Sequence, residues 1–145
     1  MTISSAVCNS FKVEILKAVH NFTASSNSFK LALYTSSATI NKTTTAYSST
    51  NEISNTSGSA YSAGGIALTS VTPALSTDTA CCDFADVSFT SASFTANGCL
   101  IYNDTASGDP AVCAIAFGGD KTVSSGTFTI QFPVADASNA ILRIA

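Results

Sequence analysis

The spacing of apolar residues changes once along the chain. Val7, Phe11, Ile15, Ala18, Val19 and Phe22 recur three and four residues apart, which is the pattern of one helix face. The spacing predicts a single N-terminal helix over about 5–21, with Ser4 or Ser5 as N-cap and Asn21 and the following Ser/Thr cluster as its stop. At about 100° per residue, Val13 and Leu16 fall outside the main stripe, with His20 near them. The helix is therefore expected to contact two neighbours.

From Phe29 onward the period becomes that of strands. Alternating runs at 29–35, 65–71, 83–90, 94–102, 111–117, 126–133 and 140–144 read as seven short strands. Asn97-Gly98, Gly108-Asp109-Pro110, Gly118-Gly119-Asp120 and Ser124-Ser125-Gly126 read as the turns between them. No helix-length segment remains for parallel crossovers, so the strands should pair antiparallel. The expected fold is mainly β: an antiparallel β-sandwich of jelly-roll type with one N-terminal α-helix, a single domain over 1–145. Residues 36–61 hold few large apolar side chains and read as a long surface excursion or arm, a kind of loop that usually has a function.

Composition narrows the classes. Of 145 residues, 46% are hydrophobic and only 10% charged, so Ser and Thr must supply the polar surface of a folded, core-forming chain. Such a surface suits a protein packed against neighbours, and extracellular β domains share it. A net charge of −3 with six scattered basic residues argues against a nucleic-acid partner, which needs clustered cations. No run approaches a membrane span, and the N-terminus lacks a basic start followed by an apolar stretch. No membrane partner and no signal-directed secretion are expected.

Candidate chemistry is sparse. Five cysteines without a CxxC pair do not make a disulfide framework. Cys99 and Cys113 sit in apolar runs and read as buried thiols. Cys81 and Cys82 should point to opposite faces of a strand, leaving one of them in the core. The single histidine, His20, has no nucleophile motif beside it and reads as a partly exposed residue at a helix C-terminus. Asp78, Asp83 and Asp86, and separately Asp104 and Asp109, lack the spacing of a calcium loop. One histidine and no paired cysteines leave no zinc set. Glu14 and Glu52 are the only glutamates, which leaves little for a carboxylate pair. Gly58, Gly64 and Gly65 read as a tight bend into the next strand, not a phosphate cradle. The sequons at Asn21, Asn41, Asn55 and Asn103 read as chance matches in a Ser/Thr-rich chain. No catalytic residues, cofactor or metal are expected.

A family resemblance covers nearly the whole chain. Ser10-Phe11-Lys12-Val13-Glu14-Ile15-Leu16 with Val19-His20, Phe29-Lys30-Leu31-Ala32-Leu33-Tyr34-Thr35-Ser36, Thr44-Thr45-Ala46-Tyr47 and Tyr61-Ser62-Ala63-Gly64-Gly65 occur in order. Asp83-Phe84-Ala85-Asp86-Val87, Ala96-Asn97-Gly98-Cys99-Leu100-Ile101-Tyr102-Asn103 and Leu142-Arg143-Ile144-Ala145 follow. Together they resemble the small structural proteins of tailed bacteriophages. The resemblance implies a non-enzymatic virion component assembled in the host cytoplasm, a capsid decoration or cement protein whose partners are the major capsid protein and copies of itself as a homo-oligomer on the particle. Val13, Leu16, His20, Tyr47 and Tyr61 are the expected interface residues, with the 36–61 excursion at a subunit boundary. A tail or neck component is the alternative of the same origin. A carbohydrate-binding or adhesin module is the alternative from another class; it would need exposed aromatics, and with no Trp only Tyr34, Tyr47, Tyr61, Tyr102 and Phe could supply them.

Overall fold

The computed structural model describes residues 2–54 and 60–145; Asn55 and Gly58 of the sequence reading lie outside them. In chain order the elements are β1 (Ala6–Val7), α1 (Asn9–Leu16), β2 (Phe29–Tyr34), β3 (Ile66–Ala67), β4 (Ser70–Ser76), β5 (Thr79–Phe84), β6 (Val87–Asn103), β7 (Ala111–Ile130) and β8 (Leu142–Ile144). The protein is mainly β, with two antiparallel sheets and one short helix. One sheet runs β1-β7-β6-β2-β3 and the other β4-β5-β8.

The helix is shorter than its periodicity implies. It spans 8 residues rather than 5–21, begins after Cys8, which makes no side-chain cap, and stops at Lys17; Ala18 then takes a left-handed φ of 59°. Ser4 and Ser5 precede β1 and cap nothing. The apolar stripe is shared by three elements that converge on one core. Val7 belongs to β1, opposite Cys113, Phe11 is the buried helix residue, and Phe22 lies in the loop beyond, stacked on Phe29 at 4.4 Å. Two helical turns are marginal alone, so packing of Phe11 against His20 and Phe22 holds α1 in place.

β2 is buried along almost its whole length because β6 and β3 flank it and core residues cover both faces. Phe84 of β5 meets Phe29 of β2 at 5.7 Å and Phe22 at 6.2 Å, which joins the small sheet to the large one. The stretch 83–90 is therefore two strands in two sheets: β5 ends at Phe84, β6 starts at Val87, and the exposed Ala85 and Asp86 make the step. The stretch 65–71 divides in the same way between β3 and β4.

Three of the four expected turns are not turns. Asn97-Gly98 lies inside β6, where glycine makes room: a Cβ on Gly98 would sit 2.7 Å from Ile3 Cγ2 and 2.6 Å from the Ile115 carbonyl oxygen. Gly118-Gly119-Asp120 and Ser124-Ser125-Gly126 lie inside β7, so 111–117 and 126–130 are parts of one strand, and 131–133 lie beyond its end. Between the pairs Ala96↔Lys121 and Gly98↔Ala116, β7 holds extra residues and bulges, a local bend that glycine accommodates. Only Gly108-Asp109-Pro110 sits in a true connection, between β6 and β7.

The described residues of the 36–61 segment, 36–54 and 60–61, are also not a loose excursion. Ala38, Ile40, Ile53 and Tyr61 are buried in the main core. Ile3 bridges to Ile40 and Tyr34 to Glu52. All five cysteines are free and buried, and Cys81 and Cys82 are both interior. Cys82 joins the main core, whereas the C-terminal tail covers Cys81, whose Sγ donates to the Asp136 carbonyl at 3.1 Å.

Candidate functional site

Two places gather the chemistry of this chain. The first is a knot of phenols around Glu52. Tyr47 Oη and Tyr61 Oη each donate to its carboxylate at 2.6 Å, and the Gly64 N–H donates at 2.7 Å. Tyr61 Oη in turn accepts the Leu33 N–H at 2.9 Å, and Tyr102 Oη donates to the Gly64 carbonyl. Tyr47 stacks on Tyr102 with ring centroids 4.7 Å apart. Burial, reinforced by the Glu52 carboxylate, pushes Tyr47 up to about 12 and Tyr61 far above the ordinary phenol value. These side chains clamp 47–52 and 61–64 onto β2 and β6; Tyr47 is half-buried and Tyr61 fully buried.

Replacing Glu52 with Ala removes the acceptor of three donors at once. Because each buried donor without a partner costs about 1–3 kcal/mol, a loss of about 3–5 kcal/mol is expected, with a smaller loss for Glu52→Gln, which keeps one acceptor oxygen. Urea unfolding checks this. A change under about 1 kcal/mol for Glu52→Ala would mean that the clamp contributes nothing.

The second place is a groove of about 600 Å³ between α1, the loop after it, and the small sheet. Its walls are mostly aliphatic and aromatic, including Phe11, Ile15 and Leu16 on one side and Pro73, Leu142 and Ile144 on the other. Leu16 is 88% exposed, Ile144 67%, and Leu75 of the neighbouring β4 73%. Val13 is exposed on the same helix. Five of the six large apolar side chains left exposed among the described residues, namely Val13, Leu16, Val71, Leu75 and Ile144, belong to the elements that wall this groove.

His20 borders the groove but is only 5% exposed, so it is not the partly exposed helix-end residue that the sequence implied. Asn103 Oδ1 accepts the Thr105 and Ala106 N–H groups, so its Nδ2 is the donor that reaches both His20 Nδ1 at 3.1 Å and Asn27 Oδ1. The ring proton then lies on Nε2, facing Glu14 Oε2 at 3.6 Å. Burial lowers the His20 pKa, and Glu14 opposes that shift. No described hydroxyl or thiol bonds the ring, so the Glu14–His20–Asn103 chain ends without a nucleophile. The polar atoms Ser10 Oγ, Glu14 Oε1 and His20 Nε2 are buried without hydrogen-bond partners.

The structure thus brings Val13, Leu16 and His20 to the helix side and ties Tyr47 to Tyr61 through Glu52 elsewhere. Sequence reasoning missed Glu52, Leu75 and Ile144. The sole signal for Glu52 was its rarity. Among the described residues, no group of three or more His, Cys, Asp or Glu side chains is placed to hold a metal ion, and no helix is long and apolar enough to cross a membrane. Compared with known proteins, the chain matches no family model, no curated protein and no solved structure. None of these comparisons identifies a phage protein.

Proposed function

We propose that this protein is a non-enzymatic structural component of a tailed-phage virion, a capsid decoration or cement protein that binds between major capsid subunits in many copies. In this reading the two sheets are the layers of a jelly-roll-like β-sandwich. The observation that carries the proposal is the set of exposed apolar side chains on the elements that wall the groove, Val13 and Leu16 on α1, Leu75 on β4 and Ile144 on β8, on a chain rich in Ser and Thr. Concentrated exposed apolar area marks an interaction surface. The histidine has no nucleophile to activate, which favours a mechanical role. Binding the assembled shell alone stabilises it by mass action, and repeated copies multiply the effect.

Val13 and Leu16 make the direct contacts in this proposal. His20 supports the helix from beneath, and Tyr47 and Tyr61 hold residues 36–54 and 60–61 in shape at the boundary with the neighbouring copy. Leu16→Lys should leave the circular dichroism spectrum and melting temperature unchanged while lowering occupancy on particles about tenfold at sub-saturating protein, the size of one lost apolar anchor. Unchanged occupancy would sink the proposal. Densitometry against the major capsid protein separates the two virion positions, since a shell component is present in on the order of hundreds of copies and a tail or neck ring in about a dozen.

A further inference from the structure

We infer that His20 is a proton-operated latch on the loop between α1 and β2: a proton taken up by its ring in acid releases the loop and uncovers Phe22 and Phe29. The inference goes beyond the shell-packing proposal and stands whether or not that proposal holds. Of residues 17–28, only His20 and Phe22 are buried, so these two side chains anchor the loop. Phe22 stacks on Phe29 of β2, and His20 packs against Phe11 of α1 at 4.9 Å. The polar side of the anchor is Asn103, at the end of β6. Its Nδ2 donates to His20 Nδ1 and to Asn27 Oδ1, which also accepts the Asn21 N–H at 2.9 Å. One amide therefore ties both ends of the loop to the large sheet.

The arrangement admits only a neutral ring. Asn103 Oδ1 is committed to the Thr105 and Ala106 N–H groups at 3.0 and 3.2 Å, so the amide does not turn over to offer an acceptor. A solvent proton that binds the Nδ1 lone pair sets an N–H donor against the Asn103 N–H donor, and the hydrogen bond between them is lost. The charged group that faces the ring is Glu14 of α1, with Oε2 3.6 Å from Nε2, while Phe11, Phe22 and Phe29 pack around it. Lys30 of β2 and Asp104 beyond β6 are paired with each other at 3.3 Å, and the strand pairing turns Asp83 and Arg143 to the far face of the small sheet. The Glu14 side chain is 20% exposed, so an imidazolium that swings out with it keeps its counter-ion and gains water. The closed loop is also the less satisfied state: His20 Nε2, Glu14 Oε1 and Ser10 Oγ are buried without hydrogen-bond partners, and opening hydrates them. Burial holds the ring's pKa below its ordinary value against the pull of Glu14, so the closed loop binds fewer protons than the open one. Closure is therefore complete above pH about 6.5 and weakens as pH falls below it, by up to about tenfold per unit.

The test is amide hydrogen exchange of the intact chain between pH 7.5 and 5, each rate divided by its intrinsic rate at that pH, alongside NMR titration of the single histidine. Protection at the Asn21, Ser28 and Asp104 amides, whose bonds hold the loop, should fall about fivefold or more between pH 7 and 5.5. Amides of the β6–β7 pairing near Cys113 should not change. His20→Gln, which has no titrating ring, should lose the pH dependence. Asn103→Asp keeps the acceptor for Thr105 and Ala106 and sets a carboxylate against Nδ1. Its loop should be better protected at pH 5.5 than at 7, and its histidine should titrate above about 6.5. A loop that stays protected while the histidine titrates, an unaltered pH dependence in His20→Gln, or equal losses in the β6–β7 pairing would each overturn the inference. If His20→Gln does not fold, the native chain and Asn103→Asp decide: opposite directions of change uphold the latch, and the same direction overturns it.

Discussion

Between pH about 9 and 12 the protein is expected to unfold in one cooperative step, because its core holds acidic protons that the unfolded chain releases. Burial pushes the Cys8 thiol up to about 11 and those of Cys82 and Cys99 up to about 12. Cys113 rises well above its ordinary value, through burial and the neighbouring thiols. Tyr34, Tyr61 and Tyr102 are raised as well, again chiefly by burial. In each case the folded pKa exceeds the unfolded one, so the native state binds more protons above the unfolded value. Stability is therefore complete below pH about 9, where free thiols begin to ionise, and falls as pH climbs toward the folded values.

The magnitude makes the outcome decisive. Each such group weakens folding by about 1.4 kcal/mol per pH unit once its unfolded form is ionised. The seven act together above pH about 10, and the sum is about 10 kcal/mol per unit, as large as the roughly 5–15 kcal/mol that holds a typical domain together. Tyrosinate absorbance and loss of far-ultraviolet circular dichroism should consequently coincide in one narrow window. Phenols that titrate near pH 10 while the circular dichroism stays native would show that the core admits hydroxide without unfolding, contrary to this expectation.

What the sequence disclosed follows from how local each signal is. β2 is bounded by polar residues and buried on both faces, and its extent is legible to within one residue. Antiparallel pairing follows from the absence of crossover helices. The helix misleads because Val7, Phe11 and Phe22 share a helical period by converging on one core from a strand, a helix and a loop. Asn97-Gly98 looks like a hairpin turn, yet Gly98 is small because Ile3 packs against it, a contact 95 residues away in sequence. The two sheets divide 65–71 and 83–90 at points where nothing local changes. For the groove, Leu16 was legible, together with Val13 outside its lining, as a second helix face. Its far wall was not, because β8 reaches α1 only through the folded small sheet. Glu52 sits in a segment whose composition reads as surface, and its burial follows from phenols that the fold alone gathers around it.

The second large effect is expected at Gly65, where the chain turns into β3. Gly65 has φ +90°, and a Cβ there would lie 2.1 Å from the Leu31 carbonyl oxygen, 2.6 Å from its carbon and 2.9 Å from Ala32 Cα. These are backbone atoms of the central strand β2, so no side-chain rotation relieves the clash. Either β3 separates from β2, breaking the Leu31↔Ile66 pairing, or β2 shifts within the core. Moving Gly65 also disturbs Gly64, whose N–H and carbonyl serve Glu52 and Tyr102.

Gly65→Ala is therefore expected to cost about 4 kcal/mol or more, the range reserved for clashes and broken buried networks. Gly108→Ala is the control. Gly108 has a similar φ of +84°, but its added Cβ would meet nothing within 4 Å, so only the left-handed backbone penalty of about 1–2 kcal/mol applies. Urea midpoints of the two variants measure the difference, and equal losses would mean that backbone conformation alone, not the approach of Gly65 to β2, sets the requirement. Hydrogen exchange gives an independent reading: Gly65→Ala should speed exchange at the Leu33 and Gly64 amides, which the clamp protects, and leave the β6–β7 pairing near Cys113 as slow as before.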